Sequence, residues 1–201
     1  MKTSIKLLIT AIIFSFSSVA CTQTRYATDQ FDITEFSSIK SSIVGNIFIR
    51  QGQTTSVTAE GSEEILDILE IKIDNDTLKL YMEEHLLKRF NRSAKKLTIS
   101  IITPNITFID IEGVGNIVVD STFETPELTV NSSIVGNFTA ENLKAGYVKI
   151  DSEGVGNIIL GGIGEKIEME SEGVGNVEAE RFKAKSAIVN SQGMGNVSCF
   201  A

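Results

Sequence analysis

The chain of 201 residues has no tryptophan and one histidine, His85. The first absence removes the ring best suited to stacking a sugar. The second leaves no neighbour to act as base for a serine nucleophile, and His85 itself reads as a solvated loop residue. Cysteine is as scarce: Cys21 and Cys199 permit one disulfide at most. Basic residues are outnumbered, 18 Lys and Arg against 26 Asp and Glu, for a formal net charge of −8. Such a chain is repelled by nucleic acid and by anionic lipid. Its one cationic stretch, Lys88, Arg89, Arg92, Lys95 and Lys96, reads as a solvated loop. A long apolar run is missing too, because Leu7 to Phe16 is too short for a good membrane span.

What that run does resemble is a secretory signal peptide. Lys2 and Lys6 precede it, and Ser17-Ser18-Val19-Ala20 stand directly before Cys21. Residues 1–20 are therefore expected to be removed, which takes the charge from −8 to −10 through loss of the two lysines. Val19-Ala20-Cys21 resembles a lipobox, although Ser18 stands where a large aliphatic residue is usual. Cys21 is the expected lipidation site. The alternatives are a free thiol or a disulfide to Cys199. Residues 21–29 would then be a tether and residues 30–201 one domain, since 42% hydrophobic content suffices for a core and no boundary signal divides the chain.

Glycine is abundant and ordered. SEGVGN occurs at Ser152–Asn157 and again at Ser171–Asn176. A dinucleotide-binding loop would need a third glycine three positions after the second and a following helix. Ile159 occupies that position in the first copy, no amphipathic helix follows, and the reading fails. The hexapeptide instead belongs to a series of pairs: Gly45-Asn46, Gly115-Asn116, Gly136-Asn137, Gly156-Asn157, Gly175-Asn176 and Gly195-Asn196. From the second pair onward the steps are 21, 20, 19 and 20 residues, a period that marks stacked repeats.

Aligned on the glycine, the copies give three apolar columns. Val44, Val114, Val135, Val155, Val174 and Met194 precede it. Ile47, Ile117, Phe138, Ile158, Val177 and Val197 stand two after it, and Ile39, Ile109, Val130, Ile150, Met169 and Val189 six before. All three are assigned to the core. Alternation such as Val148-Lys149-Ile150-Asp151 indicates strands with one buried face. The expected fold is all-β, a β-solenoid of parallel-stacked units with about 20 residues per coil. The asparagines would stack as a hydrogen-bonded ladder, and Ser132, Ser152, Ser171 and Ser191 would form a second one, broken by Ile111. Cys199 falls in an inward column with Val119 and Leu160. Between the first two pairs, Leu69–Asp74 and Leu78–Glu83 read as strands joined by Asn75-Asp76-Thr77. Lys96–Thr103 is a further strand ending at Pro104. The 70-residue gap would hold three coils and an excursion at His85–Lys95.

These features resemble the bacterial putative auto-transporter adhesin head GIN domain family. The likeness rests on the Gly-Val-Gly-Asn repeats at Gly113, Gly154 and Gly173, on Ile43-Val44-Gly45-Asn46-Ile47, and on the Asp74–Leu78 turn. Ile43 and Ile134 depart from the pattern by replacing the first glycine. The resemblance implies a right-handed parallel β-helix, similar in shape to pectin lyases, in the cell envelope, with no recognised catalytic set, no cofactor and a role in adhesion. Catalytic residues and metal ligands are accordingly expected to be none. The leading functional expectation is an exported, non-enzymatic protein that offers a rigid surface to a protein or glycan ligand and meets membrane only through a lipid anchor. A structural or signalling envelope lipoprotein is the alternative. A polysaccharide-active enzyme ranks below both, because the outward carboxylates Asp110, Asp151, Glu170, Glu112, Glu153 and Glu172 come without a sugar-stacking tryptophan. The Glu153 and Glu172 pair could at most hold calcium weakly.

Overall fold

Alternation of apolar and polar residues builds nearly every element, and the burial of successive residues follows it. The computed structural model describes residues 25–82 and 97–200. The expected signal peptide, Cys21, His85 and the cationic stretch lie outside the described residues. In chain order the elements are β1 (Tyr26–Phe31), β2 (Ser38–Val44), β3 (Asn46–Gln51), β4 (Ser56–Ser62), α1 (Glu63–Leu66), β5 (Leu69–Asp74), β6 (Thr77–Met82) and β7 (Thr98–Thr103). They continue with β8 (Phe108–Val114), β9 (Ile117–Val119), β10 (Phe123–Val135), β11 (Phe138–Ser152), β12 (Ile158–Ser171), β13 (Val177–Ser191) and β14 (Val197–Phe200). Tyr26–Asp29, assigned above to the tether, run in β1.

The expected parallel β-helix is not what the chain adopts. The fold is all-β, but the strands form one mixed sheet that curls into a nearly closed barrel. β1 pairs antiparallel with β4, β4 with β7, and β5 with β6. The β5–β6 reversal is written locally: Asn75 and Asp76 take φ of 48° and 63°, the left-handed pair that a two-residue hairpin turn requires. The spatial order β5-β6-β2-β8-β10 also departs from chain order, as successive coils of a β-helix would not. Asn46 lies directly beside Asn116, since β2 and β3 pair with β8 and β9 at an offset of 70 residues. The intervening segment therefore does not hold three stacked coils. β6 and β7 pair with the far sides of β2 and β3; β5 adds an antiparallel margin on β6, and β4 followed by β1 adds another on β7.

From β8 onward the pairing is parallel, with Val130, Ile150, Met169 and Val189 in register. That column and the one of Ile47, Ile117, Phe138, Ile158 and Val177 are buried, apart from half-buried Val189 and Val197 towards the end. Phe123, Phe138 and Phe182 are the largest fully buried side chains in the core. Ile65 and Leu66 of α1 cover it at the β4 end.

Candidate binding surface

The Gly-Asn turns organise one corner of this sheet. Ile150 points inward, and period-2 alternation sends Ser152, Gly154, Gly156 and Ile158 to the same side. Gly156 has φ of +150°, and a Cβ on it would lie 1.7 Å from the carbonyl oxygen of Gly136. The neighbouring backbones pass so closely at this corner that only glycine fits, and its φ is one that other residues rarely adopt. Gly115, Gly136, Gly175 and Gly195 repeat the arrangement. Where the first glycine is replaced, Ile43 and Ile134 turn their side chains into the core and each is paired with Gly113.

The asparagines stand above one another on adjacent strands. The backbone N–H of Asn116 donates to Oδ1 of Asn46 at 3.0 Å, Asn137 to Asn116 at 3.1 Å, and Asn157 to Asn137 at 2.9 Å. Asn176 donates to Asn157 at 3.0 Å and Asn196 to Asn176 at 3.1 Å. The links run from main chain to side chain. Amide-to-amide contacts of 3.4 Å join only Asn46, Asn116 and Asn137 among the described residues. Each link satisfies a turn N–H that no strand ladder reaches.

The same alternation overturns one assignment. Val155 is an odd number of residues from Ile150 and so points out. Val114, Val135, Val155, Val174 and Met194 are between 44 and 72% exposed, and are not core. Their backbones remain in the sheet: Val135, Val155, Val174 and Met194 bridge in parallel, Val155 donates to Ile134 O at 2.8 Å, and Gly156 to Val174 O at 2.9 Å. Five aliphatic side chains thus form a straight row of about 19 Å at one strand spacing per step. It was hidden because apolar residues between glycines look like core. Residue parity was the signal that could have found it.

Acidic residues border the row. Glu112, Glu153 and Glu172, two positions before the valine, are exposed. Further along the same strands Asp110 is paired with Lys40 Nζ at 2.7 Å and Asp151 with Lys149 Nζ at 2.9 Å. Asp151 does lie beside Glu170, but among the described residues no three or more His, Cys, Asp or Glu side chains converge to hold a metal. Further still along these strands Glu168 accepts hydrogen bonds from Lys166 and from Tyr147 Oη, the latter at 2.6 Å. Lys166 first, then Tyr147, holds its carboxyl below the usual carboxylate range. The Tyr147 hydroxyl is in turn raised by that bond.

Of the serine column, Ser132 and Ser171 are buried, Ser152 half-buried and Ser191 exposed. Cys199 pairs with inward Ala179 yet is exposed, because no further described strand covers it. A separate open concavity of about 530 Å³ includes Pro126, Lys144, Gly146, Ile163 and Glu165 in its lining. Among the described residues no helix is long and apolar enough to cross a membrane.

Residues 35–201 match the family model described as putative auto-transporter adhesin, head GIN domain. Among solved structures, a putative adhesin from Bacteroides fragilis is 28% identical, with a TM-score of 0.82 over 88% of this chain and 81% of that one. A putative lipid binding protein from Parabacteroides distasonis is 16% identical, with a TM-score of 0.66 over 88% and 82%. A putative adhesin from Parabacteroides merdae is 17% identical, with a TM-score of 0.59 over 86% and 80%. At those identities the latter two share the fold alone. A search of curated proteins returned no match.

Proposed function

The chain belongs to the putative auto-transporter adhesin, head GIN domain family, and from that membership we propose that it is an exported, non-enzymatic protein of the cell envelope that binds a surface partner. The observation that carries this reading is the exposed row Val114, Val135, Val155, Val174 and Met194. Contiguous apolar surface held on rigid strands is unusual unless something docks there. The turn backbones hold the row in place through ladder and asparagine bonds, so little conformational freedom is lost on contact.

The chemistry of the surface favours a protein partner over a glycan. Valine and methionine give a sugar no ring to stack on and no hydrogen bond, whereas they suit the aliphatic side chains of a polypeptide. The carboxylates of Glu112, Glu153 and Glu172 beside the row favour a partner with lysine or arginine flanking its apolar contact. Export and a lipid anchor at Cys21 would place this surface where such a partner can be met.

The test compares cells displaying the wild-type chain with cells displaying Val135→Asp, Val155→Asp and Val174→Asp together, scored for adhesion to surfaces coated with defined matrix and envelope proteins. Loss of adhesion by the variant at equal surface display and melting temperature supports the reading. Equal adhesion of the two strains, or no adhesion by the wild type to any coating, overturns it.

A further inference from the structure

One margin of the sheet differs from the rest. The outermost strand β5 carries Glu70, Lys72 and Asp74, and outermost β1 carries Asp29. Charges spaced along an edge keep it from pairing with another chain. β13 carries one charge on its unpaired stretch, Lys185, which is paired with Glu165 of β12. Beyond Lys183 it pairs only with β12 among the described residues, and from Ser186 to Phe200 the sequence contains no charged side chain. The segment Ser186-Ala187-Ile188-Val189-Asn190-Ser191 is an exposed neutral strand with β-branched residues at its centre. Ala184, Ala187, Val189 and Val197 pack on the core but are only half covered. Ile188 is exposed on the outer face.

The direction of the backbone follows from the register. Gln192 donates its N–H to Ser171 O, towards β12. Alternation then turns the N–H and C=O groups of Ala187, Val189 and Ser191 away from β12, into the unpaired margin. We propose that this margin pairs antiparallel with the same margin of a second copy of the chain, about a twofold axis at Val189.

In that register Val189 faces its own counterpart, Ala187 faces Ser191, Ile188 faces Asn190 and Lys185 faces Gly193. No like charges oppose one another, although the molecule as a whole is acidic. Elsewhere on this surface self-association would bring carboxylates together. A twofold interface must be self-complementary, and a neutral strand of this composition is. The pairing extends the half-covered core across the axis and satisfies the outward backbone groups. It is independent of the aliphatic row, and would make the binding surface bivalent, which strengthens attachment to a multivalent target without any new contact.

The experiment is sedimentation equilibrium on the full purified protein in detergent, so that acyl chains at Cys21 do not drive association. A dimer is expected at micromolar concentration, and Ile188→Lys should convert it to monomer while keeping its melting temperature in dilute solution. Register is read separately with Val189→Cys in a Cys21→Ser, Cys199→Ser background. Cα atoms of a hydrogen-bonded antiparallel pair lie about 5.5 Å apart, within disulfide reach, and oxidation should yield a covalent dimer. A wild-type monomer at high micromolar concentration overturns the proposal. So does a dimer that Ile188→Lys leaves intact, or a dimer in which Val189→Cys does not cross-link.

Discussion

Gly156→Ala is the sharpest probe of the turn corner. The added Cβ would sit 1.7 Å from Gly136 O and 2.6 Å from Gly136 C, where real Cβ contacts essentially never fall below 3.0 Å. The obstacle is the backbone of Gly136, so no side chain can swing away. Holding alanine at φ of +150° costs roughly 1–3 kcal/mol. Separating the two turns weakens Gly136 N–H to Val155 O at 2.9 Å, Val155 N–H to Ile134 O at 2.8 Å and Asn157 N–H to Asn137 Oδ1 at 2.9 Å. Each such bond contributes about 1 kcal/mol. The total is about 5 kcal/mol, a large share of the roughly 5–15 kcal/mol that holds a domain together, and lowers Tm by about 10–20 °C at this chain length. Gly61→Ala is the control. Its φ is not positive, and its nearest atoms, Leu97 Cδ1 at 3.6 Å and Ile65 Cγ2 at 3.8 Å, are in ordinary contact, so that variant should melt within about 2 °C of wild type or slightly above it. Scanning calorimetry of the two variants decides. If Gly156→Ala and Gly61→Ala melt together, the close approach at the corner is not what selects glycine there.

The two sides of one strand should respond oppositely to charge. Ile150→Asp places a carboxylate at a fully buried position and should abolish folding at 37 °C, whereas Val155→Asp, at a residue 52% exposed, should change stability by no more than about 0.5 kcal/mol; circular dichroism melts of both check the parity argument. Acid should weaken the fold partly through Glu168. Its folded pKa is lowered, first by Lys166 and then by Tyr147, so its contribution is present above its unfolded value of about 4.3 and is lost as pH falls through the folded value. Lys166→Met should flatten the acid limb of the Tm against pH curve, and an unchanged limb would refute the pairing. Tyr147, raised by Glu168, works in the opposite sense: its contribution is present below about pH 10 and is lost as pH rises through its folded value.

Short-range chemistry determined much of this protein from its sequence alone. The spacing of the Gly-Asn pairs predicts parallel neighbours about twenty residues apart, and β8 to β14 pair that way. The Asn75-Asp76 turn announces a reversal, because left-handed φ values are a local preference of those residues. The columns of Ile150 and Ile158 are inward because alternation is a property of the strand itself. The same rule, carried through the glycines, would have placed Val155 outside. Local pattern tells which face a residue occupies, but not which strand lies beside it or in which direction it runs. That choice depends on contacts between segments far apart in the chain, and tertiary structure alone decided it. It brought Asn46 against Asn116 across seventy residues, set β1, β4 and β5 antiparallel towards the margins, and curled the sheet into a nearly closed barrel in place of a uniform parallel stack. It also left Cys199 exposed in a column that is buried everywhere else, because burial requires a neighbour on each side and the last described strand has one.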